Sequence, residues 1–497
     1  MDRIKIESFY RLWVSQLDNL LAGYIYNENG GPNHTRYIFS YYLELLERFL
    51  KNEITEIEKI NLLSGIRGIG KTTLLGQLFY PSRFTHPSQK SLYSKLLEGN
   101  YEKLYLDVSK LHLEGISLND FFKFYEEEKN LHFETLNRKL VIFLDEVHYD
   151  SNWGLFLKNI FDRTKGHKNI LTVATGSSAL KIKLNPDLSR RSLLQELYPL
   201  KFDEFLIMKS MVHPIKNLSD ELIKSILFSK NASELYDLLE IHLRSVNSFF
   251  LNLLPQIEEE FLYFGGFPFV LELKNKKSLV YELISGVIDK LITKDILDLK
   301  RFSSETISKI KDLLYLIANS DITDYEKLCS TLKLNYRSVR GIIETLIQSG
   351  VIVEVKSYGE KFVKVRKPTK FLFISPSLRA SILSGIIPSE IKGKLLEDYS
   401  ALIFKKDFSK KKIEGAEIEI LYDSSSLGAD FVLRAGKVKK IVVEIGYGEK
   451  KHGIKQVENT AKKLENFSYG IIVSKEGELE LINEKIIKIP LKFWLLI

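Results

Sequence analysis

The short glycine-rich segment at residues 65–72 sets the tightest limit on how this chain can fold. It reads Gly-Ile-Arg-Gly-Ile-Gly-Lys-Thr and matches the pattern G-x-x-x-x-G-K-[ST] in full. The apolar run Ile60–Ser64 before it predicts a buried strand, and residues 71–80 after it predict a helix. A strand, such a loop and a helix in this order surround a phosphate with backbone amides at a helix N-terminus. The segment therefore predicts a P-loop in an α/β fold.

The residues of this loop have separate expected roles. Gly65 and Gly70 let the backbone wrap around a phosphate. Lys71 can reach the β- and γ-phosphates, and the Thr72 hydroxyl is suited to bind Mg²⁺. The residues expected to contact the nucleotide are Gly65, Ile66, Arg67, Gly68, Ile69, Gly70, Lys71, Thr72 and Thr73. ATP and Mg²⁺ are the cofactors that the pattern implies.

A pair of carboxylates follows a second buried strand. Residues 141–144 are four apolar residues in a row, and Asp145 and Glu146 come directly after them. Ligands bind beyond the carboxyl ends of the strands in open parallel sheets. We expect Asp145 to hold Mg²⁺ through water and Glu146 to polarise the attacking water as a general base.

Two further groups are candidates for contact with the γ-phosphate. The strand predicted at residues 170–174 runs into Thr175-Gly176-Ser177-Ser178, and Ser177, or second to it Thr175, is the expected catalytic sensor. A helix N-cap role explains Ser177 equally well. Arg190 or Arg191 is the candidate arginine finger for a neighbouring subunit, which would require a homo-oligomer. A surface basic pair explains the two arginines equally well.

Length and pattern divide the chain into several domains. A single hydrophobic core stops growing near roughly 250–300 residues, and this chain has 497. Apolar runs alternate with helical stretches between residues 59 and 210, which predicts a parallel sheet covered by helices. The predicted divisions are a helical segment at 1–45, the P-loop core at 46–210, a helical lid at 211–304, a winged helix-turn-helix at 305–380 and a separate α/β domain at 381–497.

The winged helix is predicted from three short helices and a basic ribbon. The helices are expected at residues 308–319, 324–332 and 336–348, with ribbon strands at 351–355 and 361–366. Arg337 and Arg340 lie on the candidate recognition helix, where such residues neutralise DNA phosphates. The basic residues of the ribbon are Lys356, Lys361, Lys364, Arg366 and Lys367. A packing or protein-contact role explains the same segment equally well.

Composition indicates a cytoplasmic protein with no membrane partner. No apolar run approaches the ~18–20 residues that span a bilayer, and the start of the chain lacks the apolar stretch of a signal peptide. Cys329 is the one cysteine and forms no internal disulfide, which fits a reducing compartment. The net charge of +8 permits a nucleic-acid partner, although a lysine-rich solvated surface explains it as well.

These motifs together resemble a family of prokaryotic, including archaeal, AAA-type ATPases. The similar features are Gly-x-Arg-x-x-Gly-Lys-Thr-Thr at 65–73, Leu-Asp-Glu-Val-His-Tyr at 144–149, Thr-Gly-Ser-Ser at 175–178, Leu-Tyr-Pro-Leu at 197–200 and Gly-Gly-Phe-Pro at 265–268. The resemblance implies an additional-strand P-loop core, in which the strand carrying Thr175 lies between those carrying the P-loop and Asp145. It favours Arg191 over Arg190 as the finger.

The resemblance also implies that the C-terminal α/β domain is restriction-endonuclease-like. Nucleases of the PD-(D/E)XK type hold Mg²⁺ with an Asp and a Glu, and a lysine two residues after the Glu activates water. Asp430 and Glu444 have suitable spacing, and Glu397 lies on the preceding helix. The lysine position is Gly446, so we expect a compromised metal site unless Lys450 or Lys455 reaches back.

Two functions follow from these features. The first is an ATPase that couples its nucleotide state to DNA or partner binding through the winged helix. The second is a regulatory switch or signalling ATPase that acts on protein partners without DNA contact. Stimulation of ATP hydrolysis by DNA distinguishes the first from the second.

Overall fold

The chain forms two compact units, residues Met1–Leu197 and Tyr198–Ile497. The computed structural model describes residues 3–176, 186–209, 212, 214–271, 273, 276–296, 302–320, 322–359, 368–446, 453–475 and 477–497. Within these ranges no helix has both the length and the apolarity that crossing a bilayer requires.

The first unit is built on a sheet of five parallel strands. They are β1 (Ile60–Ser64), β2 (Glu102–Asp107), β3 (Leu140–Asp145), β4 (Ile170–Gly176) and β5 (Leu193–Glu196). Their order across the sheet is β2-β3-β4-β1-β5. Every residue of β1, β3 and β4 is buried, as expected for parallel strands covered on both faces. The prediction that the Thr175 strand lies between the P-loop strand and the Asp145 strand is confirmed.

Eight helices surround this sheet in the described part of the first unit. They are α1 (Arg3–Ile25), α2 (Tyr37–Leu50), α3 (Lys71–Phe79), α4 (Pro81–Phe84), α5 (Ser94–Glu98), α6 (Val108–Leu113), α7 (Leu118–Glu128) and α8 (Trp153–Arg163). Trp13 of α1 donates its indole N–H to the Tyr105 carbonyl at 2.8 Å. A Cβ at Gly76 of α3 would come within 2.7 Å of Ile25. The first helix therefore packs closely against the helix that follows the P-loop.

The second unit begins with helices and continues into a mixed sheet. Its helices are α9 (Phe202–Met208), α10 (Leu218–Phe228), α11 (Ala232–Leu251), α12 (Ile257–Phe264), α13 (Lys277–Lys290), α14 (Ser304–Asn319), α15 (Tyr325–Leu332), α16 (Tyr336–Gln348), α17 (Pro376–Ile382), α18 (Lys392–Ile403), α19 (Gly453–Ala461) and α20 (Leu491–Leu495). The helices α14, α15 and α16 lie where the helix-turn-helix was predicted, to within a few residues.

The strands of the second unit form one continuous sheet. They are β6 (Ile322–Thr323), β7 (Ile352–Ser357), β8 (Thr369–Phe373), β9 (Lys412–Ile413), β10 (Ala416–Tyr422), β11 (Phe431–Ala435), β12 (Lys439–Gly446), β13 (Phe467–Ser474), β14 (Glu480–Asn483) and β15 (Ile486–Pro490). The order is β14-β15-β13-β12-β11-β10-β7-β8-β6, and β9 pairs with β10. Residues 421 and 422 of β10 pair in parallel with residues 356 and 357 of β7. The sequence had assigned these two strands to separate domains.

Two elements end where a partner strand or the backbone itself changes direction. The strand β5 ends at Glu196, because its partner β1 ends at Ser64, where the P-loop turns away. Helix α19 ends at Ala461, and Asn466, a few residues further on, has a left-handed backbone with φ of 57°, a conformation that a helix does not contain. The ribbon strand predicted at 361–366 lies outside the described residues.

A buried ion pair joins α17 to α18. The side chains of Arg379 and Asp398 are both 0% exposed and meet through two hydrogen bonds of 2.6 and 2.8 Å. Arg379 also donates to the Ala318 carbonyl at 2.7 Å, and Asp398 accepts from the Phe373 amide at 2.8 Å. Because each charge has several partners, removing one leaves the other buried without compensation.

We therefore predict that Arg379→Leu lowers the free energy of unfolding by about 3–5 kcal/mol, the usual loss when one member of a buried pair is removed. The matched control is Arg340→Leu, because the Arg340–Glu344 pair is exposed and should be worth less than about 1 kcal/mol. Urea denaturation of both variants measures the difference. Equal losses would show that the buried pair has no special structural role.

Candidate nucleotide site and a second carboxylate cluster

The glycine-rich loop has a backbone that only glycine adopts easily. Gly70 has a left-handed φ of 93° immediately before α3. Gly65 has φ of 156°, and a Cβ there would come within 2.5 Å of the Leu197 carbonyl and 2.4 Å of the Ile69 side chain. Side chains at these two positions would strain or displace the loop. Both glycines therefore hold the geometry that the sequence pattern predicted.

The Lys71 ammonium lies inside this loop. Its Nζ donates to the carbonyls of Gly65 at 2.8 Å and Ile66 at 3.1 Å, and the residue is only 5% exposed. Arg36, which precedes α2, donates to the Ile69 carbonyl at 3.1 Å. The loop is thus supported from the N-terminal helices, a contribution that the sequence did not predict. A phosphate would offer Lys71 a stronger, anionic acceptor than either carbonyl.

Asp145 lies at the centre of three hydroxyl groups. It accepts hydrogen bonds from Thr72 at 2.6 Å and from the Tyr105 hydroxyl at 3.1 Å. The Thr175 hydroxyl donates to its other oxygen. Burial, together with the neighbouring charge of Glu146, raises the pKa of Asp145 above its ordinary value. A hard cation with oxygen ligands suits this donor set, so Thr72 and Asp145 fit the predicted Mg²⁺ position.

The second acidic residue has a strained backbone and an unforeseen partner. Glu146 has a left-handed φ of 54°, which is uncommon for a residue with a side chain. Its amide donates to the Thr175 hydroxyl at 3.3 Å. Its Oε2 lies 3.2 Å from Nδ1 of His148, which is largely buried. The sequence analysis assigned no role to His148, although this residue lies in the motif at 144–149, two residues after the candidate base.

The candidates for the γ-phosphate sensor and for the arginine finger differ in what they contact in the described structure. Thr175, the second choice for the sensor, contacts both acidic residues, while Ser177 lies outside the described residues. Arg191 donates to the Asp187 carbonyl at 3.1 Å and has its Nε 3.6 Å from Asp162. It is therefore held within its own chain. Arg190 is exposed.

The second carboxylate cluster gathers on the C-terminal strands. The Asp430 amide donates to Glu444 at 3.1 Å, and Asp430 accepts from the Ile445 amide at 2.9 Å. Lys370 of β8 lies 3.2 Å from Asp430 and also pairs with Glu397 of α18. The structure thus brings together the three predicted carboxylates, with a lysine that the sequence analysis did not name.

The two lysines considered from the sequence have different outcomes. Lys450 lies outside the described residues, and Lys455 is exposed on α19. Burial alone would lower the pKa of Lys370, but the carboxylates of Glu397 and Asp430 outweigh burial and raise it above its ordinary value. Across the described ranges, no three His, Cys, Asp or Glu side chains are grouped so as to hold a metal ion.

Comparison with known families agrees with the fold and the loop. Residues 57–206 match a family model described as an AAA domain. Residues 256–389 match one described as a domain of unknown function, DUF8612. Together with the strand order and the glycine-rich loop, the first match defines an AAA-type P-loop protein.

The relatives identify the particular family. The chain is 31% identical over 471 residues to the uncharacterised protein MJ1637 of Methanocaldococcus jannaschii, covering 93% of this chain and 89% of that protein. It belongs to the same family as that archaeal protein. A second protein of that organism, MJ1544, is 23% identical over 452 residues, covering 88% of this chain and 87% of that protein.

Solved structures show more distant likenesses. The Walker-type ATPase PABY2304 of Pyrococcus abyssi is 17% identical with a TM-score of 0.38, covering 71% of this chain and 98% of that chain. The ORC1 protein of Aeropyrum pernix in complex with DNA is 13% identical with a TM-score of 0.30, covering 71% and 93%.

The raised pKa of Asp145 leads to a prediction on stability. A carboxylate with a raised pKa destabilises the fold while it is ionised, so Asp145→Asn should raise the melting temperature at pH 7. We expect a gain of about 2–4 °C, the shift that about 1 kcal/mol produces in a unit of 150–250 residues. Wild type takes up a proton as the pH falls through the folded pKa, so the gain should shrink in acid. Thermal unfolding without nucleotide at several pH values measures it.

Asp162→Asn is the control with the opposite sign. A hydrogen bond from Lys165 lowers the pKa of the Asp162 carboxyl, so its ionised form favours the fold. Neutralising it should give no gain in melting temperature at pH 7. A loss of stability in Asp145→Asn at every pH would contradict the predicted burial effect.

Proposed function

We propose that this protein is an ATPase that hydrolyses ATP with Mg²⁺ at the glycine-rich loop. The observation that carries the proposal is the 2.6 Å contact between Thr72 and Asp145, beside the buried Lys71. Lys71 and the loop amides bind the β- and γ-phosphates, and Thr72 and Asp145 hold the ion. The ion would neutralise charge that develops on the phosphate oxygens.

Glu146 is the proposed general base. It follows Asp145 at the carboxyl end of β3, and its side chain is 20% exposed, so it can contact water. Thr175 accepts a hydrogen bond from the Glu146 amide and is the proposed sensor within the described residues. Ser177, the first choice from the sequence, stays a candidate and lies outside them. Arg191, or the more exposed Arg190, is proposed to act in the site of a neighbouring copy.

The test is a pair of substitutions in the loop and at the base. Glu146→Gln should retain ATP binding and slow hydrolysis by about 10²-fold or more, the typical contribution of a general base. Lys71→Ala should lose nucleotide binding or turnover, since the phosphates lose their main cation. Phosphate release and equilibrium binding of labelled ATP measure the two effects. The control is Glu128→Gln, an exposed residue at the end of α7, and hydrolysis at the wild-type rate in Lys71→Ala would exclude the proposal.

We propose that the nucleotide state of this ATPase is coupled to the binding of DNA or of a protein partner through α14, α15 and α16. Arg337 and Arg340 are exposed on α16, as contacts to phosphates require. Lys356 on β7 is also exposed, and the other basic residues of the ribbon lie outside the described residues.

A second candidate is a switch that acts on protein partners alone. It is favoured by the pairing of β7 with β10, because strands of the helix-turn-helix that complete a larger sheet serve a packing role. In that case Arg340 would act mainly through its hydrogen bond to Glu344 at 2.8 Å.

The effect of DNA on the ATPase rate distinguishes these two functions. If DNA is the partner, duplex DNA should raise the ATPase rate, and the effect should weaken steeply with salt because phosphate contacts release counterions. Arg337→Ala together with Arg340→Ala should abolish the stimulation and leave the basal rate unchanged. Lys224→Ala, an exposed lysine on α10 outside the proposed surface, is the control. A salt-independent rate that DNA does not change would favour the protein-partner switch.

For the C-terminal strands we propose a restriction-endonuclease-like core. Supporting it, α18 precedes the antiparallel strands β10, β11 and β12, and α19 then leads to β13, which is parallel to β12. Asp430 comes directly before β11, and Glu444 lies on the adjacent strand β12. We propose that it binds or supports rather than cleaves.

A further inference from the structure

The carboxylates of the C-terminal core already have partners supplied by the protein. One oxygen of Asp430 contacts Lys370 and the other accepts from the Ile445 amide. Glu444 accepts from the Asp430 amide and is fully buried. Glu397 pairs with Lys370. The oxygens that would bind a metal ion are thus engaged in hydrogen bonds and ion pairs.

Lys370 is fixed in this position by its strand. It lies on β8, paired across the sheet with Val355 on one side and Ile322 on the other. Its side chain is 5% exposed, and its Nζ lies 5.1 Å from the centre of the Phe431 ring. The ammonium is therefore held by two carboxylates and an aromatic face, with little freedom to leave.

A divalent ion and this ammonium cannot share the same carboxylates. The two cations would lie within a few ångströms of each other in a buried region, where like charges repel strongly because water does not screen them. A lysine that activates water beside a metal must be able to contact that water. Lys370 instead uses its hydrogen bonds on Asp430 and Glu397. The residues present therefore do not fit a metal-dependent nuclease site.

We infer that the Lys370 ammonium takes the cation position of the C-terminal core, so that Asp430 and Glu397 bind Lys370 of β8 where a nuclease of this type would bind a divalent metal. Lys370 then joins two parts of the second unit, and the core does not cleave phosphodiester bonds. This inference deepens the proposal for the C-terminal core and is independent of ATP hydrolysis.

The test is the binding of Mn²⁺ to the full-length chain without nucleotide, measured by electron paramagnetic resonance and calorimetry. Wild type should bind no Mn²⁺ that depends on Asp430. Lys370→Met, which keeps the length of the side chain but not the charge, should bind about one additional Mn²⁺ per chain, since Asp430 and Glu397 then lack the cation that they pair with. Adding Asp430→Asn to Lys370→Met should remove that ion.

Two matched controls isolate the charge of Lys370. Lys370→Arg keeps a cation at the site and should gain no Mn²⁺. Lys356→Met changes an exposed lysine on the neighbouring strand β7 and should behave as wild type. Circular dichroism and melting temperature report whether each variant is folded, and Mn²⁺ should stabilise Lys370→Met but not Lys370→Arg.

Two results would overturn the inference. The first is Mn²⁺ binding, or DNA cleavage with Mn²⁺, by the wild-type protein that is lost in Asp430→Asn. The second is a folded Lys370→Met protein that binds no more Mn²⁺ than Lys356→Met. If Lys370→Met does not fold, the comparison of wild type with Asp430→Asn decides alone. Absence of Asp430-dependent binding and cleavage then supports the inference.

Discussion

The insertion of β4 between β1 and β3 is the constraint on which the nucleotide site depends. Parallel pairing aligns the carboxyl ends of the three strands at one edge, so the loop after β1 and the polar residues that end β3 and β4 meet there. Asp145 then accepts hydrogen bonds from Thr72 on one side and Thr175 on the other. Burying the negative charge of Asp145 lowers the stability of the fold. A cation bound at this site would compensate that charge.

Much of this site could be predicted because its signals are local. A five-residue buried strand, a fixed loop and a helix follow one another in the chain, and the strand bounds Ile60–Ser64 agree with the structure. The position of Thr72 near Asp145 follows from the rule for parallel sheets. His148 and Arg36 were missed because their roles arise from side-chain contacts. His148 lies inside the motif at 144–149, but the motif assigns it no role, and Arg36 belongs to no motif.

Lys370 shows the limit of motif reasoning more sharply. A search for the lysine of an endonuclease-like site begins two residues after Glu444 and extends to nearby positions on the chain. The lysine that is present comes from 60 residues before Asp430, on a strand predicted to belong to another domain. The pairing of β7 with β10 and the bond from the β8 backbone to Asp398 bring it within reach, and neither leaves a periodic signal in the sequence.

That same pairing has a mechanical consequence. Strands that share backbone hydrogen bonds resist bending far more than helices joined by a flexible loop do. We therefore expect α16 and the C-terminal strands to move as one rigid body. Arg379 and Asp398 hold this rigid body together at a second point, since the pair joins α17 to α18. A force applied to the exposed face of α16 would therefore reach β12 without passing through a flexible segment. The distance over which it is transmitted is the width of the sheet.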